Sequence, residues 1–307
     1  MTQGVSLAPA QHGRVGQAAA VRAHALAAAI RFLLRIASTP TGAIGLGLLT
    51  LHLLLVLLGP SLAPYEPTAL NLRHTLEAPS AAFPMGTDNS GRDVLSRVMA
   101  GARSIVLLSI ASTALAMVLG ILLGLVAGYL GGWKDEVVMR GMDVLMSFPA
   151  LLLAMLVLTM LGPANANVIL ATALVFTPRV ARVVRSVVLE LRTREFVDAA
   201  RLRGESTVFI WLREILPNAS AVILVETGIR LSYAILLIAS LGFLGLGVQP
   251  PTPDWGLMVS EGRQYIYQAW WMVFFPSIAI GSLVIAVSLL TDRLEQVLNA
   301  QRSFEGS

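Results

Sequence analysis

Six stretches of this 307-residue chain stay apolar for about the 20 residues a helix needs to cross a bilayer, and polar segments separate them. They are residues 41–62, 102–130, 142–161, 167–188, 220–247 and 269–290. The second is longer than a bilayer requires and is expected to tilt or to project beyond it. The fourth is interrupted near its end by Pro178, Arg179 and Arg182. In the third, Pro149 follows Phe148. A proline there removes one backbone hydrogen bond and kinks the helix, which a bundle tolerates where neighbours re-satisfy the freed carbonyl. The pattern predicts an all-α integral membrane protein with six transmembrane helices.

Composition agrees. Apolar residues make up 56% of the chain and charged residues 13%, against about 45–50% and about 25% in soluble domains. Too little polar surface remains to cover a soluble particle, which excludes a soluble enzyme and a disordered chain. Cysteine is absent, so there is no disulfide framework, thiolate metal site or cysteine nucleophile. The single lysine, Lys134, sits in Gly-Gly-Trp-Lys-Asp and does not fit the P-loop pattern, whose lysine reaches the nucleotide phosphates. The chain is not its own P-loop ATPase.

Arginine placement orients the spans. With the N-terminus inside, the cytoplasmic side collects Arg14, Arg22, Arg31, Arg35, Lys134, Arg140, the eight arginines from Arg179 to Arg213, Arg293 and Arg302. The outer side holds Arg73, Arg92, Arg97, Arg103 and Arg263, and Arg230 alone lies within a span. Sixteen basic residues against five is a positive-inside signal that puts both termini in the cytoplasm. The net charge of +4 therefore reflects topology, and no nucleic-acid partner is expected. Residues 1–24, rich in Ala, Gln and Gly, read as loosely ordered. Residues 25–37 mix Leu26, Ile30, Leu33 and Leu34 with Arg31 and Arg35, the pattern of a short interfacial helix. No cleavage pattern precedes the first span, so a signal peptide is not expected.

Inside the spans little chemistry is visible. Gly120, Gly124 and Gly128 fall on one face of the second span. Because lipid gives helices no hydrophobic drive to associate, such a small-residue stripe reads as a helix–helix seam, within the chain or with a partner. Ordinary glycine enrichment is the bland alternative. Intramembrane ionisable groups are functional suspects, and Asp143, Glu226 and Arg230 compete. Glu226 and Arg230 are one turn apart near the inner end of the fifth span and can pair, as an ion relay or, more simply, as a self-neutralised pair. The four histidines, His52 included, lack metal-ligand spacing, so no metal site and no catalytic residue is expected. A channel would need charged rings or a carbonyl filter. A secondary transporter or embedded enzyme would need polar residues converging at mid-bilayer depth, which the sequence does not display. Trp255, Trp270 and Trp271 read as anchors near the outer interface.

The segment between the fourth and fifth spans, 190–218, is too polar to span and too apolar to be a tether. Phe196, Ala199, Ala200 and Leu202 predict a short helix ended by Gly204 in the left-handed conformation. A second short helix over 207–215 then leads to Pro217 and the membrane. Helix, Gly turn, helix makes a rigid projection that another protein could grip.

At these residues the chain resembles a known family. Asp198-Ala199-Ala200-x-x-x-Gly204, with Ile215-Leu216-Pro217 following, is similar to the EAA loop of type I ABC importer permeases. Gly86-Thr87-Asp88-Asn89-Ser90-Gly91-Arg92-Asp93-Val94-Leu95-Ser96-Arg97, the run from Ser240 to Gly256, and Met139-Arg140-x-x-Asp143 with Pro149 resemble the "C" permease subunits of the dipeptide, oligopeptide and nickel importer group. The likeness covers about residues 41–298. Two departures are an aspartate at Asp198 for the usual glutamate and a C-terminal tail without the usual Leu-Asp-Pro-Arg.

The resemblance implies a MetI-like fold in the bacterial inner membrane. Its divisions would be a cytoplasmic N-terminal tail (1–40), a first span (41–63), an outer loop (64–101), a five-helix core (102–291) that includes the loop 190–218, and a cytoplasmic tail (292–307). It implies that Asp198, Ala199, Ala200, Gly204 and Pro217 couple the chain to an ATPase. Gly86, Asp88, Gly91, Arg92 and Asp93 would build the outer loop. The implied partners are a homologous second permease, two ATPase subunits, an extracytoplasmic binding protein and membrane lipid. ATP and Mg would sit on the ATPases, with no cofactor on this non-catalytic chain. Peptides are the implied substrates, with nickel chelates, glutathione and other small solutes as alternatives.

Overall fold

The structure, a computed structural model, describes residues 34–305, with side chains to residue 300. Most of the expected interfacial helix at 25–37 lies outside the described residues; only a helical turn at 34–37 falls within them. The elements in order are α1 (Pro40–Leu62), α2 (Val94–Leu125), α3 (Gly132–Met146), α4 (Ala150–Leu161), α5 (Asn165–Leu191), α6 (Glu195–Leu202), α7 (Thr207–Phe209), α8 (Leu216–Phe243), α9 (Trp255–Gly262) and α10 (Trp271–Glu305). A π-turn, Val126–Leu130, extends α2, and another, Ile210–Ile215, joins α7 to α8. The described residues contain five continuous helices long and apolar enough to cross a membrane, and a bent pair that brings the number to six if its two halves count as one span. We call the end bearing α6 and α7 lower and the end bearing residues 63–93 and α9 upper.

The bent pair corrects the third span. The sequence predicts one kinked helix over 142–161, but α3 and α4 meet at 90° across Ser147, Phe148 and Pro149. Proline disfavours helical backbone in the residue before it, and Pro149 is itself the extended N-cap of α4. On the far side of the break, α3 carries Lys134, Asp135, Glu136, Arg140 and Asp143, too many charges for a lipid-embedded turn. Alone, the 12 residues of α4 reach only about 18 Å.

Other boundaries move for local reasons. α2 begins at Val94, before the expected 102, because Asp93 caps it by accepting the Ser96 N–H (2.8 Å) and hydroxyl (2.6 Å). α5 runs through Pro178 to Leu191, so Arg179 and Arg182 lie inside a helix rather than past the end of a span. Nor is the segment 207–215 a separate helix. It continues into α8 through a widened turn just before Pro217, where the ladder accommodates a residue with no N–H and a ring that crowds the carbonyl four residues earlier.

The glycine stripe is a seam within the chain. A Cβ at Gly120, Gly124 or Gly128 would stand 2.5, 2.7 or 2.8 Å from the Cβ of Val180, Val184 or Val188 on α5. Three glycines at four-residue spacing thus meet three valines at the same spacing, and α2 and α5 approach closely along three turns. His52 is structural, its ring nitrogens facing the Leu48 carbonyl (2.8 Å) and the Ala279 carbonyl (3.3 Å). Trp255 and Trp271 are core pins rather than interfacial anchors. Their indole N–H groups donate to the Val98 carbonyl (2.8 Å) and the Thr87 carbonyl (3.0 Å), both buried. A buried indole needs such an acceptor. Trp270 stays exposed.

Candidate functional site

At the lower end, α6 is a one-sided helix. Val197 and Ala200 are fully buried in an apolar cluster with Val180, Val184, Val188, Ile210 and Ile215, while Asp198 and Ala199 face out. Of the expected coupling residues, Ala200 therefore anchors the loop, and Asp198 and Ala199 present it. Gly204 takes φ +77° and closes α6 with two reverse bonds. The Glu205 N–H donates to the Ala200 carbonyl (3.2 Å) and the Gly204 N–H to the Arg201 carbonyl (2.9 Å), the pairing that satisfies helix-end carbonyls. Ser206 then caps α7 by accepting the Phe209 N–H (3.3 Å). Arg201 clasps the loop to the end of α2, donating to the Tyr129 hydroxyl (3.2 Å) with its guanidinium 5.1 Å from that ring's centre. Around this braced scaffold Leu202, Val208 and Leu212 stand exposed, Leu202 at 90%. Pro217 lies in the first turn of α8 and is exposed.

The upper loop is a knot of charge. Asp88 accepts from Arg92 Nε (2.6 Å), from Arg97 Nη1, and from the backbone N–H groups of Ser90 (2.8 Å) and Arg92 (2.9 Å). Both arginines also reach Glu261 on α9, at 3.1 and 2.9 Å. Gly86 and Gly91 have φ near +70°. A Cβ on Gly91 would stand 1.8 Å from the Asn71 carbonyl oxygen. Gly86, Asp88, Gly91, Arg92 and Asp93 all lie in this turn. The sequence left Arg97 and Glu261 unassigned; Arg97 was legible within the same motif, whereas Glu261 lies 164 residues further on.

Midway between these ends a cavity of about 480 Å3 opens between α4, α5 and α8, lined by Leu151, Phe176, Arg179, Arg230, Tyr233 and Ser240 among others. Glu226 and Arg230 pair as expected (2.7 Å), and the Arg230 guanidinium stands 5.5 Å from the Tyr233 ring centre. The pair lies near the middle of α8, not at its inner end. Its companion Arg179 was read as cytoplasmic, so this convergence of polar groups was missed. A second cavity of about 500 Å3 shares Leu151, Leu236 and Ser240 with the first and continues past Phe243 and Val259.

Residues 120–303, which hold the seam, the lower loop, both cavities and most of the last helix, match the family model described as binding-protein-dependent transport system inner membrane component. The chain belongs to this permease family. The permease is 41% identical over 266 residues to the di/tripeptide transport system permease protein DppC of Pseudomonas aeruginosa, covering 84% of this chain and 88% of the relative. It is 38% identical over 256 residues to the dipeptide transport system permease protein DppC of Alkalihalophilus pseudofirmus (83% and 84% covered). It is 41% identical over 223 residues to the glutathione transport system permease protein GsiD of Pectobacterium atrosepticum (73% and 74% covered). Its fold is similar to a chain of the inward-facing MetNI methionine ABC transporter, with a TM-score of 0.54 at 18% identity, covering 66% of this chain and 95% of that one. The permease is thus a multi-pass inner-membrane subunit of an ABC importer, with the MetI-like all-α fold expected from the sequence.

Proposed function

We propose that the permease forms half of the translocation pathway of an ATP-driven importer of short peptides. The peptide assignment is supported by the substrates named for its relatives, since dipeptides, tripeptides and glutathione are all short peptides. We further propose the rest of the assembly: a homologous second permease, two ATPases that bind ATP and Mg and carry out the hydrolysis, and a binding protein on the upper face. Asp198, Ala199 and Gly204 are the gripped surface. This coupling role rests on one observation, the loop's split personality. Its underside is locked into the α2–α5 cluster through Val197 and Ala200, while its outer side leaves Leu202 and Val208 in solvent. A partner that moves this loop moves α5 with it, because packed short helices shift as rigid bodies between discrete arrangements.

The lower end is cytoplasmic in this reading. With no native cysteine, single cysteines introduced at Ser206 and Thr68 report sidedness directly. An impermeant thiol reagent applied to intact spheroplasts labels position 68 alone if the orientation holds. Substrate is tested by thermal shift of the cognate binding protein. Stabilisation by di- and tripeptides supports the reading, and stabilisation by a nickel chelate alone overturns it.

A further inference from the structure

We propose that Arg179, with Arg230 and Tyr233 beside it, forms a transit station for the carboxylate of the transported solute. The inference rests on the peptide-import reading and deepens it. Arg179 is the fifteenth of the 27 residues of α5. Its neighbour Val180 packs on Gly120, which has apolar helix on both sides, about 22 Å back to Ile105 and about 15 Å on to Leu130. A charge at that depth needs a counter-ion or a wet cavity. The next arginines along α5 have counter-ions: Arg182 pairs with Asp143 and Arg185 with Asp135. Arg179 has no ion pair, hydrogen bond or ring contact among the described residues, and it lines the central cavity. Arg230 is already matched to Glu226, so the three ionised groups leave one uncompensated positive charge facing that space.

A guanidinium presents a planar fork of donors that matches a carboxylate two-to-two. The Tyr233 hydroxyl adds a neutral donor to the same stretch of wall. The adjoining apolar cavity, past Phe243 and Val259, suits the side chains of the same molecule. Each cavity falls within the range of small-ligand sites, and a dipeptide spans about 7 Å. The groove therefore offers a charged point at mid-depth and an apolar run above it.

The test uses the complete transporter in proteoliposomes, with its ATPases, second permease and binding protein, and alanyl-alanine as the probe. Wild-type uptake of that dipeptide tests the substrate reading by itself, and its absence would sink that reading. The station is tested by Arg179→Gln and Arg179→Lys against wild type. The expected result for Arg179→Gln is uptake reduced about tenfold, with thermal stability and binding-protein-stimulated ATP hydrolysis retained; Arg179→Lys recovers most of the uptake. Uptake in Arg179→Gln equal to wild type overturns the proposal. So does a loss of uptake accompanied by an equal loss of ATP hydrolysis or of thermal stability, which would make Arg179 structural.

Discussion

The upper knot and the lower loop are both turns punctuated by positive-φ glycines, yet they use charge in opposite ways. In the knot, Asp88 and Arg97 are each about 2% exposed and ion-paired within the same chain, Arg97 with Asp88 and Glu261, although its buried Nε has no hydrogen-bond partner. In the loop, the Asp198–Arg201 pair is about half exposed. At Gly91 a Cβ would strike backbone, whereas at Gly204 it would meet nothing within 4 Å. The knot is therefore finished by its own residues. The loop is finished only on its underside, and its outer surface is left for something else. Buried charge paired within the chain marks architecture, and braced but exposed apolar and charged groups fit the proposed partner surface.

The sharpest way to break the contrast is to remove a member of each set. Asp88→Ala leaves two arginines with only Glu261 in a buried site, and losing one partner of such a network costs about 3–5 kcal/mol. Thermal unfolding of the purified permease in detergent should show it, and a midpoint near wild type would mean the knot is dispensable. Gly91→Ala combines a left-handed backbone with a clash against Asn71, for a loss of about 3 kcal/mol. Gly204→Ala keeps only the backbone term, about 1 kcal/mol. Equal losses at the two glycines would erase the distinction.

Asp254 tests whether the upper region tolerates charge without a partner. It caps α9 by accepting the Leu257 N–H (3.0 Å) through Oδ1, but its buried Oδ2 has no hydrogen bond. Burial pushes its pKa from an ordinary 3.8 to about 6, against the smaller lowering effect of the Leu257 and Gly256 backbone bonds. The folded state then holds its proton where the unfolded state has released it. Stability is full below about pH 4 and falls as pH rises to about 6, by about 2 kcal/mol. Asp254→Asn keeps the cap and should flatten the unfolding midpoint across that range. A slope that persists in the variant would assign it to another group.

What the sequence made legible follows from how local each signal is. Apolar runs of about 20 residues and a three-glycine stripe are local; five of the six runs are continuous helices in the structure, and the stripe survives as well. So does the left-handed turn at Gly204, because helix ends are decided by a few neighbouring residues. The right angle at Pro149 was read as a kink because the pattern does not say whether a helix resumes in line. Arg179 was misplaced because Pro178 before it looks like a terminus, whereas α5 continues through it to Leu191, with its valines packed on Gly120, Gly124 and Gly128. Trp255 and Trp271 were read as interfacial by residue type, while their acceptors Val98 and Thr87 lie more than 150 residues away. The central cavity joins Arg179 to Arg230, and no local pattern connects them.

The smallest effect on stability discriminates most about function. Asp198→Asn removes the charge of a surface ion pair, and pairs this exposed contribute less than about 1 kcal/mol. Gly204→Asp places a side chain in open space, at a backbone conformation that aspartate adopts more readily than most residues. Both variants should insert and unfold within about 1–2 kcal/mol of wild type. If the loop is the gripped surface, Gly204→Asp should nevertheless abolish peptide uptake and co-purification of the ATPases, and Asp198→Asn should weaken both. The knot variants should show the reverse order, with large losses of stability and ATPase binding retained by whatever chain remains folded. Normal uptake by Gly204→Asp would remove the loop from the coupling path and leave its exposed leucines without a role. The comparison between the two turns thus turns on a double dissociation, stability lost with the ATPases held at one end and stability kept with the ATPases lost at the other.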